Sequence, residues 1–178
     1  MFPIMIEVRK AREKDLDDVI TLENKVWPPG TRSPREKFES RLRIFPEGFF
    51  LAYKEGSLIG VSTSQIIKYD GSTIDSWEKI TDFGWIRTHN PMGNALYVVS
   101  LGAISRSGGG SALINAQKKL ATELGLDFDS SKRSLTKIGT ILSFNPSATG
   151  KEKPHEAQSD RRRSRGARWP RLRRARFG

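Results

Sequence analysis

The chain has 178 residues, 36% of them apolar, with no cysteine and a formal net charge of +11. That length suits one domain with an extension and is enough to bury a core. The lack of cysteine excludes disulfides and a thiol nucleophile, and no apolar run approaches the ~20 residues that span a bilayer.

In chain order, residues 4–8 alternate apolar and polar and suit a first strand. Residues 13–26 read as a helix with Leu16, Val19, Ile20 and Leu22 inward and Asp15, Asp17 and Asp18 in its first turn, where they favour the dipole. Trp27-Pro28-Pro29-Gly30 stops it. A second helix is expected over 34–44, with Pro34 at N1. Residues 49–53 and 58–67 form a hairpin around Lys54-Glu55-Gly56-Ser57. Residues 68–94 are a polar insertion in which Trp77, Ile80, Phe83, Trp85 and Ile86 supply partial packing. Long loops in compact domains are often functional, so the insertion either shapes a substrate mouth or is simply anchored by its tryptophans.

The most informative stretch is 96–125, LYVVSLGAISRSGGGSALINAQKKLATELG. Residues 96–101 are mostly apolar and β-favouring. Gly108, Gly109 and Gly110 follow, with Ser111 as N-cap. Leu113, Ala116, Gln117, Leu120, Ala121 and Leu124 then recur on one helical face, opposite Asn115, Lys118, Lys119 and Glu123. A glycine-rich strand-to-helix turn aims backbone N–H groups at one spot, at the positive end of a helix dipole, which favours phosphate. The spacing is neither G-x-G-x-x-G nor G-x-x-x-x-G-K-[ST]. What remains is a pyrophosphate cradle of another kind, or a plain turn.

Beyond 127, LTKIGTILSF (135–144) alternates enough for a last strand, and 145–160 is rich in Pro, Gly, Ser and charge and reads as disordered. Residues 151–178 hold 11 Lys and Arg against 3 acidic residues, whereas residues 1–150 hold 20 against 17. The basicity is therefore in the tail, and the body is an ordinary mixed-charge domain. RRRSRGARWPRLRRARFG, with Trp169 and Phe177 to stack on bases, is either an arm for weak nucleic-acid binding or sequence without selected structure, read in a shifted frame.

Three pieces in order, IEVRKA leading into an acidic helix, the 49–67 hairpin, and VSLGAI feeding GGGSALI, resemble the GNAT superfamily of N-acetyltransferases over roughly residues 4–126. The resemblance implies a mixed, mostly antiparallel α/β (α+β) fold with helices on both faces of the sheet. It divides the chain into a GNAT-like domain (1–126), a segment with a last strand and linker (127–150), and the disordered tail (151–178). It also implies acetyl-coenzyme A as co-substrate, bound by Leu101, Gly102 and Ala103 on the fourth strand and by Arg106, Ser107, Gly108, Gly109, Gly110 and Ser111 at the turn. The function implied is acetyl transfer to a primary amine of a small molecule or peptide by direct attack. A backbone N–H of the fourth strand would polarise the thioester carbonyl.

The turn departs from the family pattern. Ser105 stands where Gln or Arg is usual, Arg106 is one step out of place, and the loop is about three residues short of the family's length. Near the usual base on the fourth strand the chain carries Tyr97 and Ser100, with no carboxylate between Asp82 and Glu123. No tyrosine stands where a thiolate-protonating one is usual. The catalytic residues are thus unassigned, with Glu23 or Asp82 as water-relayed bases and Trp27 and Trp85 as lining for the acceptor. His89 reads as a loop histidine, and two isolated histidines lack metal-ligand spacing, so no metal is expected. A catalytically impaired protein of the same fold stays open as an alternative. The opening MFPIMIEVRK lacks the basic lead-in of a secretory signal, so a soluble cytoplasmic protein with no membrane partner is the expectation. The oligomeric state is unread.

Overall fold

Residues 6–10 alternate apolar and polar, whereas 50–53 are apolar throughout and offer side chains to both sides of a sheet; the computed structural model, which describes residues 5–70 and 75–126, builds a sheet from these segments with 57–67 and 95–103. Strands β1 (Ile6–Lys10), β2 (Phe50–Lys54), β3 (Ser57–Ile67) and β4 (Ala95–Ala103) lie in the order β1-β2-β3-β4, each antiparallel to its neighbour. The β2–β3 turn is Glu55-Gly56, both at positive φ (50° and 76°), as the twist-matching two-residue hairpin turn requires.

Helices α1 (Leu16–Val26) and α2 (Arg35–Ile44) cover one face, where Leu16, Val19, Leu22 and Phe38 pack on Phe49, Leu51 and Val61. Helix α4 (Gly109–Glu123) covers the other, with Leu113, Leu120 and Ala121 against Ala52, Ile59 and Leu101. Each such buried Leu, Ile, Val or Phe side chain is worth roughly 1.5–3 kcal/mol relative to exposure. The α/β (α+β) GNAT-like architecture with helices on both faces is therefore as expected.

Several local expectations are corrected. Helix α4 starts earlier than Ser111: Gly108 is its N-cap at φ 84°, so Ser111 is the third helical residue. Pro34 is an N-cap rather than N1. Leu124 is 43% exposed, because the helix ends there. In the insertion, the short helix α3 (Trp77–Thr81) is followed by a run in which Asp82, Phe83, Gly84 and Ile86 all have positive φ. That run buries Ile86 but turns Phe83 outward, 60% exposed. Ile4, the strand expected at 135–144 and the Arg-rich tail lie outside the described residues.

Candidate active site

Strand β4 is an edge strand, and among the described residues no strand pairs with its outer side. The Ile104 N–H donates to the Ile59 carbonyl at 2.8 Å. By antiparallel alternation Ser100 and Gly102 then direct their backbone groups at β3, and Leu101 and Ala103 turn theirs outward. Thr63 opposes Ser100 and Ser64 opposes Val98, which leaves Val99 as a bulge. Its carbonyl accepts from Trp77 Nε1 at 2.9 Å. Gly102 is in regular register with Val61 and is no bulge. A Cβ there would stand 2.9 Å from Trp27 Nε1, so the indole lies directly over it.

The turn after β4 is tight. Arg106 (φ 58°) and Gly108 (φ 84°) are both left-handed, a reversal of the kind that gathers N–H groups into a concavity. The Ser107 amide is used by the Ile104 carbonyl, the Gly109 amide by Ser107 Oγ and the Ala112 amide by the Gly108 carbonyl. The amides of Arg106, Gly108, Gly110 and Ser111 have no acceptor among the described residues. Short as the turn is, it leaves four donors open at a helix N-terminus.

On the α1/α2 face, beside Ser100, lies a polar cluster that chain-order reading did not foresee. Arg41, 1% exposed, stacks over Phe38. Its Nε donates to the Gly84 carbonyl (2.7 Å), Nη2 to Ser33 Oγ (3.2 Å), and Nη1 to Ser100 Oγ (3.1 Å) and more weakly to Thr63 Oγ1 (3.4 Å). Thr63 and Ser100 hydroxyls are 2.8 Å apart. Glu23, 5% exposed, accepts the Ser33 N–H at 2.8 Å. Burial pushes the Arg41 guanidinium down to about 10, with Glu23 pulling the other way, so it stays charged at neutral pH. Burial raises the Glu23 carboxyl, opposed by the Ser33 N–H and by the charges of Arg41 and Arg32.

The expected residues divide accordingly. Leu101 and Ala103 lie on the β4 edge and residues 106–111 in the turn that follows it and the first turn of α4, whereas Gly102 lies under Trp27. Asp82 is paired with Arg87, whose guanidinium also lies over Trp85. Tyr97 is 1% exposed within the core. His89 accepts the Ile66 N–H on Nδ1 (3.0 Å) and stacks on Phe45, which makes it a clasp between the insertion and β3. Among the described residues no three His, Asp or Glu side chains gather as metal ligands, and no helix is long and apolar enough to cross a membrane. Arg41 was legible in one respect: it sits three residues after Phe38 and four before Phe45, on a core-facing stripe.

No family model matches the chain. Over 123 residues it is 37% identical to the probable hydrolase YhcX of Bacillus subtilis, an alignment covering 67% of this chain and 24% of that protein. Over 130 residues it is 29% identical to the uncharacterized N-acetyltransferase YkwB of the same bacterium, covering 68% of this chain and 58% of that one. The chain thus spans a quarter to somewhat over half the length of these relatives. Among solved structures, it is similar to the GNAT-like decarboxylase GphF in complex with isobutyryl-CoA (TM-score 0.54, 24% identity, 65% of this chain and 58% of that one). It is also similar to the loading GNATL domain of CurA from Lyngbya majuscula (TM-score 0.56, 19% identity, 67% of this chain and 59% of that one). The chain is a GNAT-fold protein, and the superfamily resemblance read from its sequence holds at the level of the fold.

Proposed function

We propose that the protein transfers an acyl group, acetyl in the first place, from a coenzyme A thioester to a primary amine by direct attack. The observation that carries this reading is the run of uncommitted backbone groups from the outer edge of β4 to the α4 N-terminus. The pantetheine would lie along Leu101 and Ala103, and the pyrophosphate on the open amides of Gly108, Gly110 and Ser111, with Arg106 beside it. The GphF complex with isobutyryl-CoA supports the choice of ligand class, and the name of YkwB supports an amine acceptor. The reaction forms a C–N bond, breaks the C–S bond and carries one proton from nitrogen to sulfur, so the protein's part is positioning and proton management.

Of the two carboxylates considered, Asp82 is held by Arg87 and Glu23 is buried with a raised pKa. Glu23 is the better proton acceptor, through water, because burial brings a carboxylate nearer the pH at which it works. The test of the binding reading is Gly110→Asp. Gly110 is a helical residue of the first turn, where an acidic side chain favours the helix dipole by about 0.3–1 kcal/mol, so the fold is kept while the pyrophosphate is repelled. Calorimetric titration with acetyl-coenzyme A should show binding by the wild type and at least a roughly tenfold loss in the variant, equivalent to 1.4 kcal/mol. Equal affinity would overturn the placement of the pyrophosphate.

A further inference from the structure

We propose that Ser100 is a catalytic residue whose hydroxyl donates to the carbonyl oxygen of the bound thioester, with Arg41 as the positioning residue that makes it a donor. The inference rests on the acyl-transfer reading above and concerns a side chain that the resemblance leaves without a role.

The argument is one of satisfied lone pairs and protons. A serine hydroxyl has one proton and two acceptor lone pairs. Ser100 Oγ receives Arg41 Nη1 at 3.1 Å and lies 2.8 Å from Thr63 Oγ1. One of these two hydroxyls must donate to the other, and the proton of the remaining one then has no acceptor among the described residues. Thr63 is 1% exposed, where an unmade donor costs the full desolvation penalty. Ser100 is only half-buried, on the edge strand. Thr63 therefore donates to Ser100, both Ser100 lone pairs are occupied, and its own proton is free to point away from the cluster.

Two consequences follow from chemistry alone. With its lone pairs taken, Ser100 acts neither as nucleophile nor as base; it only donates. A neighbouring guanidinium polarises its O–H, which strengthens that donation. Its position fits one acceptor. Ser100 directly follows the Val99 bulge and directly precedes Leu101, whose amide turns to the open edge. A thioester lying along that edge would offer its carbonyl oxygen to the Leu101 N–H and the Ser100 O–H together. As the amine adds, negative charge grows on that oxygen and both donors are already in place. The C–N bond forms and the C–S bond breaks with no covalent bond to Ser100, so its proton is never transferred.

The test is isotope-edited infrared spectroscopy of acetyl-coenzyme A, 13C-labelled at the thioester carbonyl, bound to the full chain. The wild type should shift the carbonyl band to lower frequency than in free ligand. Ser100→Ala should lose most of that shift, with affinity weakened by no more than about fivefold, the value of one neutral hydrogen bond. Ser100→Thr should restore it. Ser100→Ala also removes the acceptor of the Thr63 hydroxyl and of Arg41 Nη1, so circular dichroism controls for folding and the rescue by Ser100→Thr, which restores that acceptor, completes the comparison. A band at the wild-type position in Ser100→Ala overturns the role of Ser100 and leaves the binding reading intact. No binding of acetyl-coenzyme A by the wild type overturns both.

Discussion

Glu23 and Arg41 are the residues whose energetics and chemistry pull in opposite directions. The Glu23 carboxyl is raised by burial, so the folded state holds its proton at higher pH than the unfolded chain does. The sign follows: its contribution favours folding below the ordinary carboxylate value and falls away as pH rises through the folded pKa. At neutral pH the ionised form is a net cost, and Glu23→Gln should raise the unfolding free energy measured in urea. The same variant should lower acyl-transfer turnover by about 10²-fold or more, the usual share of a general base. Gain of stability without loss of turnover would remove Glu23 from the chemistry. Arg41 is the reverse case. Its loss as Arg41→Met leaves the Gly84 carbonyl and Ser33 without their donor, and a destabilisation of about 3–5 kcal/mol is expected, as for other broken buried charge networks. Glu23, a candidate base from the sequence alone, lies seven residues after Leu16 and four after Val19, so its burial on the stripe that faces the sheet was legible in the spacing.

Among the elements, the insertion is the most strained and the most dependent on distant contacts. Four of the five residues 82–86 have positive φ, each such non-glycine residue costing of order 1–3 kcal/mol. The run persists because Arg41 Nε, Ser40 Oγ and Thr81 Oγ1 hold its backbone at Gly84 and Trp85. In Arg41→Met the amides of 82–88 should accordingly lose hydrogen-exchange protection before those of β3; uniform loss would contradict this. His89 ties the insertion to β3 in its neutral form, and burial lowers its pKa below the ordinary value. A lowered folded pKa means stability present above pH ~6.5 and lost as pH falls through the folded value. His89→Asn, which keeps an acceptor for the Ile66 N–H but does not titrate, should flatten the fall in melting temperature between pH 7 and 5. An unchanged slope would assign that fall to other groups.

These elements were unequally legible. Helix α4 carries a strong 3.6-residue period, and the hairpin stands out as two β-favouring runs flanking Lys54-Glu55-Gly56-Ser57. Helix α4 starts before the expected Ser111 because a glycine at positive φ out-competes serine as the cap where Ile6 crowds the turn: a Cβ on Gly108 would lie 2.8 Å from Ile6 Cδ1. The insertion has no period, and its packing depends on Arg41, 43 residues before the Gly84 carbonyl it holds, which no local pattern reveals.

At the scale of the whole molecule, the sheet separates two surfaces. One carries the open backbone of β4 and the α4 N-terminus; the other carries Trp27, Glu23, Arg41 and Ser100. Chain order alone disclosed the first, because strand, glycine turn and helix are contiguous there. The second is assembled from α1, α2, β3, β4 and the insertion, and only the fold brings it together. On the proposed placement, a thioester on the β4 edge and an amine arriving from the α1/α2 side would meet beside Ser100. The most direct measurement is a titration of acetyl-coenzyme A into the 15N-labelled full chain, followed by amide NMR at two salt concentrations. Shifts centred on Leu101, Ala103, Gly108, Gly110 and Ser111, with affinity little changed by salt, are the expected result. Shifts confined to residues 151–178 that vanish as salt rises, or no shifts at all, would contradict coenzyme binding at this turn.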